Sequence, residues 1–391
     1  MNLRQLDEKY LSRSSDPENI EVIKTKGSFI YDAKGKKYID FTMGWCVGNV
    51  GWNNDEIRRK LKSFNGPEYV TPHHLYKSWV ELARQLAQIT PGKLQKSFRA
   101  TGGTEAVELA LQAAISHTRR HKFISIEGAY HGDSIAARSV GSPDFGRWHP
   151  LFPCYRLSPP LDEACADSAE KWLKNRDIAA VIMEPVICNL GVLIPEQKFM
   201  ERIQELCKKY GTLFIVDEVA TGFGRTGKMF ASEHFNLEPD ILCVAKAITA
   251  GFAPLGATIT TEEVAKSMMS HETGYYSTYG WHPRSVDAAL ATIQFLLKHQ
   301  ERLESNTLDM GAYFSERLNQ MNFKGKVEIN VMGLAIGVHL KNKNYGEDIV
   351  EKARRRELLL SESDSGFTMF PALDIDFKTA KAGLDIIEDC I

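Results

Sequence analysis

Four short apolar runs punctuate the middle of the chain: KFISI (122–126), AAVIMEPV (179–186), TLFIVDEV (212–219) and DILCVA (240–245). None alternates polar with apolar residues over its core. Each therefore reads as a strand buried on both faces. Between them the period changes. After Pro195, the residues Phe199, Ile203 and Leu206 fall on one face of a helix that Gly211 can end. Another helix is predicted from Thr104 to about His117. Buried strands alternating with helices predict an α/β fold whose largely parallel sheet is covered on both faces.

The flanking parts read differently. SFIYDAKGKKYIDF alternates about Lys34-Gly35-Lys36, the pattern of a hairpin. Residues 74–90 look helical up to Pro91-Gly92. Beyond about residue 285 come a helix from Ser285 to Lys298, another over 303–321, and short strands. This mixed pattern predicts a second, smaller domain.

Composition narrows the function classes. The 391 residues suggest two or three domains at roughly 100–200 residues each. With 48 basic and 50 acidic residues, there is no electrostatic reason to expect a nucleic-acid or membrane-surface partner. The seven cysteines include no Cys-x-x-Cys pair. Reduced cytosolic thiols fit them better than a zinc site or a disulfide framework, and no metal is expected. The start, MNLRQLDEKYL, holds no apolar run of signal-peptide type, and no stretch reaches membrane-spanning length. A cytoplasmic protein is expected.

Four segments could carry chemistry. In ATGGTEAVELALQAA, Gly102, Gly103 and Thr104 stand at a helix start, where free N–H groups and the positive dipole end can bind a phosphate. The alternative is an ordinary cap made by Thr104, with Glu105 in the first turn. In GAYHGDS, Tyr130 follows a strand, where ligands of α/β sheets sit, and could stack on an aromatic cofactor or pack the sheet edge. In FIVDEVATGFGRTG, Asp217 ends an apolar run and needs a partner there, either a protonated pyridine nitrogen or a structural salt bridge. In PDILCVAKAITAGFAPLGA, Lys246 directly follows a buried strand, where an amine can form an imine with a carbonyl or simply be solvated.

Read in order, these segments resemble the class III aminotransferases, a fold type I branch of the pyridoxal-phosphate enzymes. The likeness runs from about Lys26 to the C-terminus. Gly102-Gly103-Thr104-Glu105-Ala106, Tyr130-His131-Gly132, Glu184-Pro185-Val186, Asp217-Glu218-Val219, Thr221-Gly222-Phe223-Gly224 and Ser277-Thr278-Tyr279-Gly280 match its landmarks. The resemblance implies that Lys246 carries pyridoxal 5'-phosphate as a Schiff base and shuttles the substrate proton. Asp217 would hold the pyridinium charged, with Val219 against one ring face and Tyr130, beside His131, against the other. Gly102, Gly103 and Thr104 would hold the phosphate, joined by Thr278 of a neighbouring subunit, so a homodimer is implied. A large cofactor domain over residues 51–284 and a small one from residues 1–50 and 285–391 are implied too.

The departures concern substrate. Members that use glutamate or 2-oxoglutarate carry an Arg before a Pro-Pro-Leu and a Glu that pairs with it; here Thr368 and Asn189 stand there. The ornithine and acetylornithine enzymes place an Arg after aromatic-His-Gly; here it is Asp133. Ala220 replaces the Gln that usually contacts the cofactor's 3-oxygen. Gly44-Trp45-Cys46-Val47 resembles the pocket segment of omega-amine:pyruvate transaminases, so Trp45 is expected either to wall the pocket or to lie in the core. Those enzymes carry a movable Arg where Ser361 stands; Arg354, Arg355 and Arg356 are nearby substitutes or surface charges. Asn189 also stands in an Asn-x-Gly context that resembles glutamate-1-semialdehyde aminomutase, whose carboxylate-binding Arg lies in the N-terminal segment, a part that Arg13 could play here. Trp45, Glu184 and Asn189 are thus the expected substrate contacts. Loops around Trp45, Tyr76, Trp281 and 361–370 are expected to set pocket size. The expected reaction moves an amino group between an amine or amino acid and a 2-oxo acid; an aminomutase or racemase of the same fold is the alternative.

Overall fold

The protein is described by a computed structural model over residues 1–141, 150–269, 274–364 and 366–391. The apolar runs become the centre of a seven-stranded sheet. Across it the strands are Lys96–Ala100, Gly256–Thr260, Ile241–Val244, Leu213–Asp217, Ile178–Met183, Lys122–Ile126 and Cys154–Leu157. Gly256–Thr260 runs antiparallel to both of its neighbours, while the remaining pairs are parallel. Every residue of Ile178–Met183, Leu213–Asp217 and Ile241–Val244 is buried, which is why these segments show no polar alternation.

Helices cover the sheet. Gly103–Thr118 buries Ala106, Val107, Leu109, Ala110, Leu111, Ala113 and Ala114, a surface of small side chains that lets it lie close to the strands. Gln197–Tyr210 buries Phe199, Met200, Ile203 and Leu206 and ends on Gly211 in the left-handed conformation, φ 61°. Each such buried aliphatic or aromatic side chain stabilises the fold by about 1.5–3 kcal/mol. The helix expected from residue 74 begins only at Lys77, because the preceding residues form a turn and Tyr76 provides no capping side chain.

The two chain ends meet. The hairpin Phe29–Asp32 and Lys37–Asp40 turns through Gly35, φ 81°. Leu358–Leu359 adds to it in parallel, with Leu358 opposite Ile39. Val327–Met332, Ala335–Leu340, Gly366–Met369 and Ser361–Ser363 form a further four-stranded sheet. Pro283–Lys298 and Gln300–Gln320 are the two long helices expected after residue 285; Pro283 sits in the first turn, where its missing N–H costs nothing. Among the described residues no helix is long and apolar enough to cross a membrane.

Candidate active site

The parallel strands all deliver their C-terminal ends to one edge of the sheet. Lys96–Ala100 points the same way, being antiparallel to an antiparallel strand. Thr101 to Thr104, Tyr130, Glu184, Asp217 and Lys246 follow those ends, so segments far apart in sequence converge there. Together they line a cavity of about 1160 Å³.

One wall is a helix start. The cap of Gly103–Thr118 is Gly102, and no side chain satisfies its first N–H groups. Thr104 lies inside the helix and does not cap it, while Glu105 turns back to accept from Thr101 N at 2.7 Å and from its hydroxyl at 2.5 Å. Gly102, Gly103 and Thr104 all face the cavity. A Cβ on Gly103 would come within 3.0 Å of Val219 Cγ1, and one on Gly132 within 2.7 Å of Thr104 Oγ1. Glycine lets these elements close up.

The floor is acidic and buried. His131 Nδ1 lies 2.8 Å from Asp217 Oδ2, and both residues are about 3% exposed. Asp217 Oδ1 accepts from Val219 N at 3.0 Å, which fixes the carboxylate plane. His131 Nε2 has no protein partner. Glu184 is buried beside this pair; Oε2 accepts from Cys188 N at 3.4 Å and Oε1 has no protein partner. Burial, reinforced by the Asp217 charge, pushes the Glu184 carboxyl well above the usual carboxylate range, outweighing the opposing pull of Lys246.

Tyr130 faces the cavity, and its hydroxyl donates to Asp133 Oδ2 at 3.1 Å. Burial, followed by the Asp133 charge, pushes its phenol up to about 12. Lys246 opens a short turn, Lys246–Thr249, with φ 46°. A non-glycine residue held in that region is strained, and such strain collects at functional positions.

The residues expected to govern substrate are divided. Trp45 is 65% exposed and lines the cavity, so it is a wall and not a core residue. Asn189 and Thr368 line it too; the Asn189 amide is tied to the Gly128 carbonyl. Asp133 lines it but pairs with Arg138 at 2.9 Å. Trp281 does not line it: it is 2% exposed and donates to Gly256 O at 2.8 Å. Tyr76 packs edge-on against Trp79 instead. Of residues 361–370, Glu362, Ser363, Asp364, Thr368 and Phe370 reach the cavity, while Ser365 lies outside the described residues.

The proposed arginine substitutes lie elsewhere. Arg13 is held bidentate by Asp7 on the exposed N-terminal segment, at 2.7 and 2.6 Å. Arg354 pairs with Glu18 at 3.1 Å, Arg355 with Glu351 at 3.0 Å and Arg356 with Asp389 at 2.6 Å. Thr278 is exposed and does not line this chain's cavity. Sequence reasoning missed Lys343 and Glu347, which reach the rim from the helix Lys343–Arg355. Nothing local marks them, because only the tertiary fold brings that helix to the sheet edge. Among the described residues, no group of three or more His, Cys, Asp or Glu side chains could hold a metal ion.

Comparison with known proteins agrees with this geometry. A sequence model described as aminotransferase class-III matches residues 10–391. An acetylornithine aminotransferase of Methanosarcina mazei is 34% identical over 386 residues, covering 98% of this chain and 94% of its own length. An (S)-enantioselective omega-transaminase from Thermomicrobium roseum superposes with a TM-score of 0.90 at 27% identity, covering 100% of this chain and 98% of that one. An amine transaminase from an uncultivated Pseudomonas species, solved with PLP bound, gives 0.86 at 26% identity, with 98% of each chain covered. A match over nearly the whole chain, on a sheet edge that presents a lysine, a buried aspartate and an open helix start, leads to one conclusion: the chain belongs to the class-III aminotransferases, enzymes of fold type I whose cofactor is pyridoxal 5'-phosphate.

Proposed function

We propose that this aminotransferase takes the amino group from a primary amine, or from an amino acid whose reacting amine lies away from its carboxylate, and passes it to a small 2-oxo acid, as omega-amine transaminases do. One observation carries the reading. Among the described residues no arginine lines the cavity, and Thr368, Asn189 and Asp133 stand where related enzymes hold their arginine or its switch partner. A bidentate guanidinium fork is the strongest available grip on a carboxylate. A cavity without one suits a donor that needs no such grip. The acetylornithine enzymes carry an Arg where Asp133, already paired with Arg138, stands here.

The residues present fit the cofactor. The helix start at Gly102 keeps free N–H groups for a phosphate, and His131 Nδ1 and the Asp217 carboxylate form a buried polar pair that a charged ring nitrogen would complete at the carboxylate. When bound, the cofactor supplies an aldehyde carbon for the amino group and a ring that withdraws electrons from the substrate carbon. Gly102, Gly103 and Thr104 would hold the phosphate, and Val219 and Tyr130, which line the same cavity, would hold the ring. Asp217 would keep the ring nitrogen protonated, with His131 holding Asp217 in place. Lys246 Nζ takes the proton from the substrate carbon and returns it. Trp45 walls the donor side, with Glu184 and Asn189 nearby. Thr278 serves the neighbouring subunit's site in a homodimer. The cofactor domain comprises residues 51–284 and the small domain residues 1–50 and 285–391. The setting is the cytoplasm, in keeping with seven free cysteines.

The test is a donor screen. Purified enzyme receives an amine with pyruvate or 2-oxoglutarate, and cofactor absorption and product formation are followed together. Amine-dependent conversion of the absorption and amino transfer to the oxo acid are expected. No transfer from any amine, or isotope tracing that returns the amino group to the same carbon skeleton without an acceptor, would overturn the reading. Borohydride reduction should fix a pyridoxyl group on Lys246.

A further inference from the structure

The loop Thr221-Gly222-Phe223-Gly224 leaves the cavity wall at Ala220 and ends on Arg225. It is fixed from the sheet side. The buried Glu218 carboxylate accepts from the Thr221 hydroxyl, from Ala231 N at 3.1 Å and from Ser232 N at 2.7 Å. Gly222 N donates to Glu218 O at 3.1 Å. Gly224, φ 92°, lets the loop press on Leu373, whose Cδ1 would lie 2.6 Å from an added Cβ.

Arg225 is completely buried and does not line the cavity. Among the described residues, the acceptors it meets are neutral. Its Nη1 donates to Leu334 O at 3.0 Å and Pro371 O at 2.5 Å, and its Nη2 to Asn49 Oδ1 at 2.6 Å. Its Nε has no protein partner. Asn49, 1% exposed, extends the clasp. Its Nδ2 donates to Gly222 O at 3.2 Å and Phe223 O at 2.9 Å, and its carbonyl accepts from Leu373 N at 2.7 Å. A buried cation held this way does little for stability, because well-packed apolar residues of similar volume at such sites are often as good or better. What it supplies is geometry. A planar fork reaches acceptors on separate segments at fixed angles, which one ammonium does not.

The segments joined here carry three walls of the cavity. Asn49 lies just beyond Trp45 and Val47, Pro371 lies just beyond Thr368 and Phe370, and Gly222 and Phe223 lie just beyond Val219 and Ala220. We propose that Arg225, together with Asn49, is a positioning residue for amino transfer: it holds the Trp45, Ala220 and Thr368 walls in one register, so that the substrate carbon meets Lys246. It touches no reacting atom. Without the clasp the walls shift independently of one another. A misplacement of about 1 Å in such a site can cost on the order of a hundredfold in rate. Lys246 and Asp217 are set by the ends of their own strands, so the floor stays in place when the clasp is cut.

The experiment compares cofactor-loaded wild type with Arg225→Met, Arg225→Lys and Asn49→Ala. Methionine fills the site without the fork, and lysine keeps the charge alone. In Arg225→Met, amide hydrogen exchange should quicken in peptides covering 43–50, 220–225 and 366–373, while the central strand Ile178–Met183 keeps its protection. Borohydride should still fix the pyridoxyl group on Lys246. With the donor that transfers fastest to pyruvate, kcat should fall at least about tenfold and the donor KM should rise, with Tm nearly unchanged. Lysine should recover part of both the protection and the rate. Should Arg225→Met not fold, Asn49→Ala carries the test: exchange should quicken in 43–50 and 220–225 but not in 366–373, which Arg225 still holds through Pro371. Unchanged exchange in these walls would overturn the proposal. So would exchange raised uniformly while Tm falls in step with the rate, wild-type kinetics in a variant with loosened walls, or loss of the Lys246 label in the variant alone. The exchange maps need no donor, so they are read whatever the donor screen returns.

Discussion

The imidazole of His131 lies 2.8 Å from the carboxylate of Asp217, with both side chains sealed from solvent. The two residues are 86 positions apart in sequence and reach each other because the ends of Lys122–Ile126 and Leu213–Asp217, with Ile178–Met183 between them in the sheet, open onto one floor. The contact gives Asp217 a fixed orientation while leaving His131 Nε2 unsatisfied by protein. Replacing Asp217 with Ala removes the carboxylate bonded to His131, and we expect amino transfer to fall by about three orders of magnitude or more, the upper range for a group acting directly on the reacting system. Replacing His131 with Ala leaves the carboxylate but frees its rotation. About ten- to a hundredfold loss is expected, the scale for residues that orient a reacting group. Steady-state rates of the two variants at saturating cofactor check the order; equal losses would contradict a supporting role for His131.

Gly132 tests the cofactor cradle. Its φ of 124° is outside the range of ordinary residues, and a Cβ there would lie 2.7 Å from Thr104 Oγ1 and 3.0 Å from Thr104 Cα. Alanine at this position must push the helix start away from the cavity. We expect Gly132→Ala to weaken cofactor affinity by tenfold or more, about 1.4 kcal/mol, measured by spectroscopic titration of the apoenzyme. Gly102→Ala makes a useful contrast, since nothing lies within 4 Å of its added Cβ and its backbone is extended.

Four of the seven strands are readable from sequence as short apolar runs, and the helix Gln197–Tyr210 because one face repeats at helical spacing; Lys96–Ala100, Cys154–Leu157 and Gly256–Thr260 lack such a run and show themselves only in the fold. Lys246, Asp217 and Tyr130 were singled out by their places at strand ends, and the resemblance supplied their proposed roles. What stayed hidden depends on long-range contacts. Trp281 looked like a pocket residue, yet its indole N–H finds the Gly256 carbonyl and its ring is swallowed by the core. The reach of Lys343 to the rim, and the burial of Arg225 among carbonyls contributed by Leu334 and Pro371, are set by how distant segments pack. No local pattern encodes either.

Substrate choice can be tested by adding back what the cavity lacks. Thr368 lines the cavity from the strand Gly366–Met369, and Asn189 lines it from a separate turn. Thr368→Arg places a guanidinium at the position from which related enzymes grip a carboxylate. A charge-assisted bond is worth about 1.5–3 kcal/mol, so KM for 2-oxoglutarate should fall roughly ten- to a hundredfold. Thr368 is 4% exposed, so some loss of Tm is expected as well. Adding Asn189→Glu should restore use of a monoamine donor by giving the new arginine a partner while no carboxylate is bound. Unchanged KM for the dicarboxylate in a folded variant would argue that Thr368 faces away from the substrate.

Acid stability should depend on Glu170. This residue of the helix Glu163–Leu173 accepts from Lys209 at 2.7 Å and from the Tyr210 hydroxyl at 2.7 Å, both on the helix Gln197–Tyr210. Those two bonds, with the Lys174 and Lys209 charges, hold its carboxyl down at about 2. In the unfolded chain it returns to roughly 4.3. Between these values the unfolded state binds the proton and the folded state does not, so stability rises with pH across that window. The contribution of Glu170 is complete above the unfolded value and vanishes as pH falls through about 2. Glu170→Gln keeps the shape but removes the charge. It should lower Tm at neutral pH and lose its effect progressively between about pH 4 and pH 2, where wild type and variant should converge. The cluster is partly open to solvent, so added salt should shrink the neutral-pH difference. A Tm gap that stays constant from pH 7 down to pH 2 would mean that the two helices are held by packing alone and that the carboxylate contributes nothing through its charge.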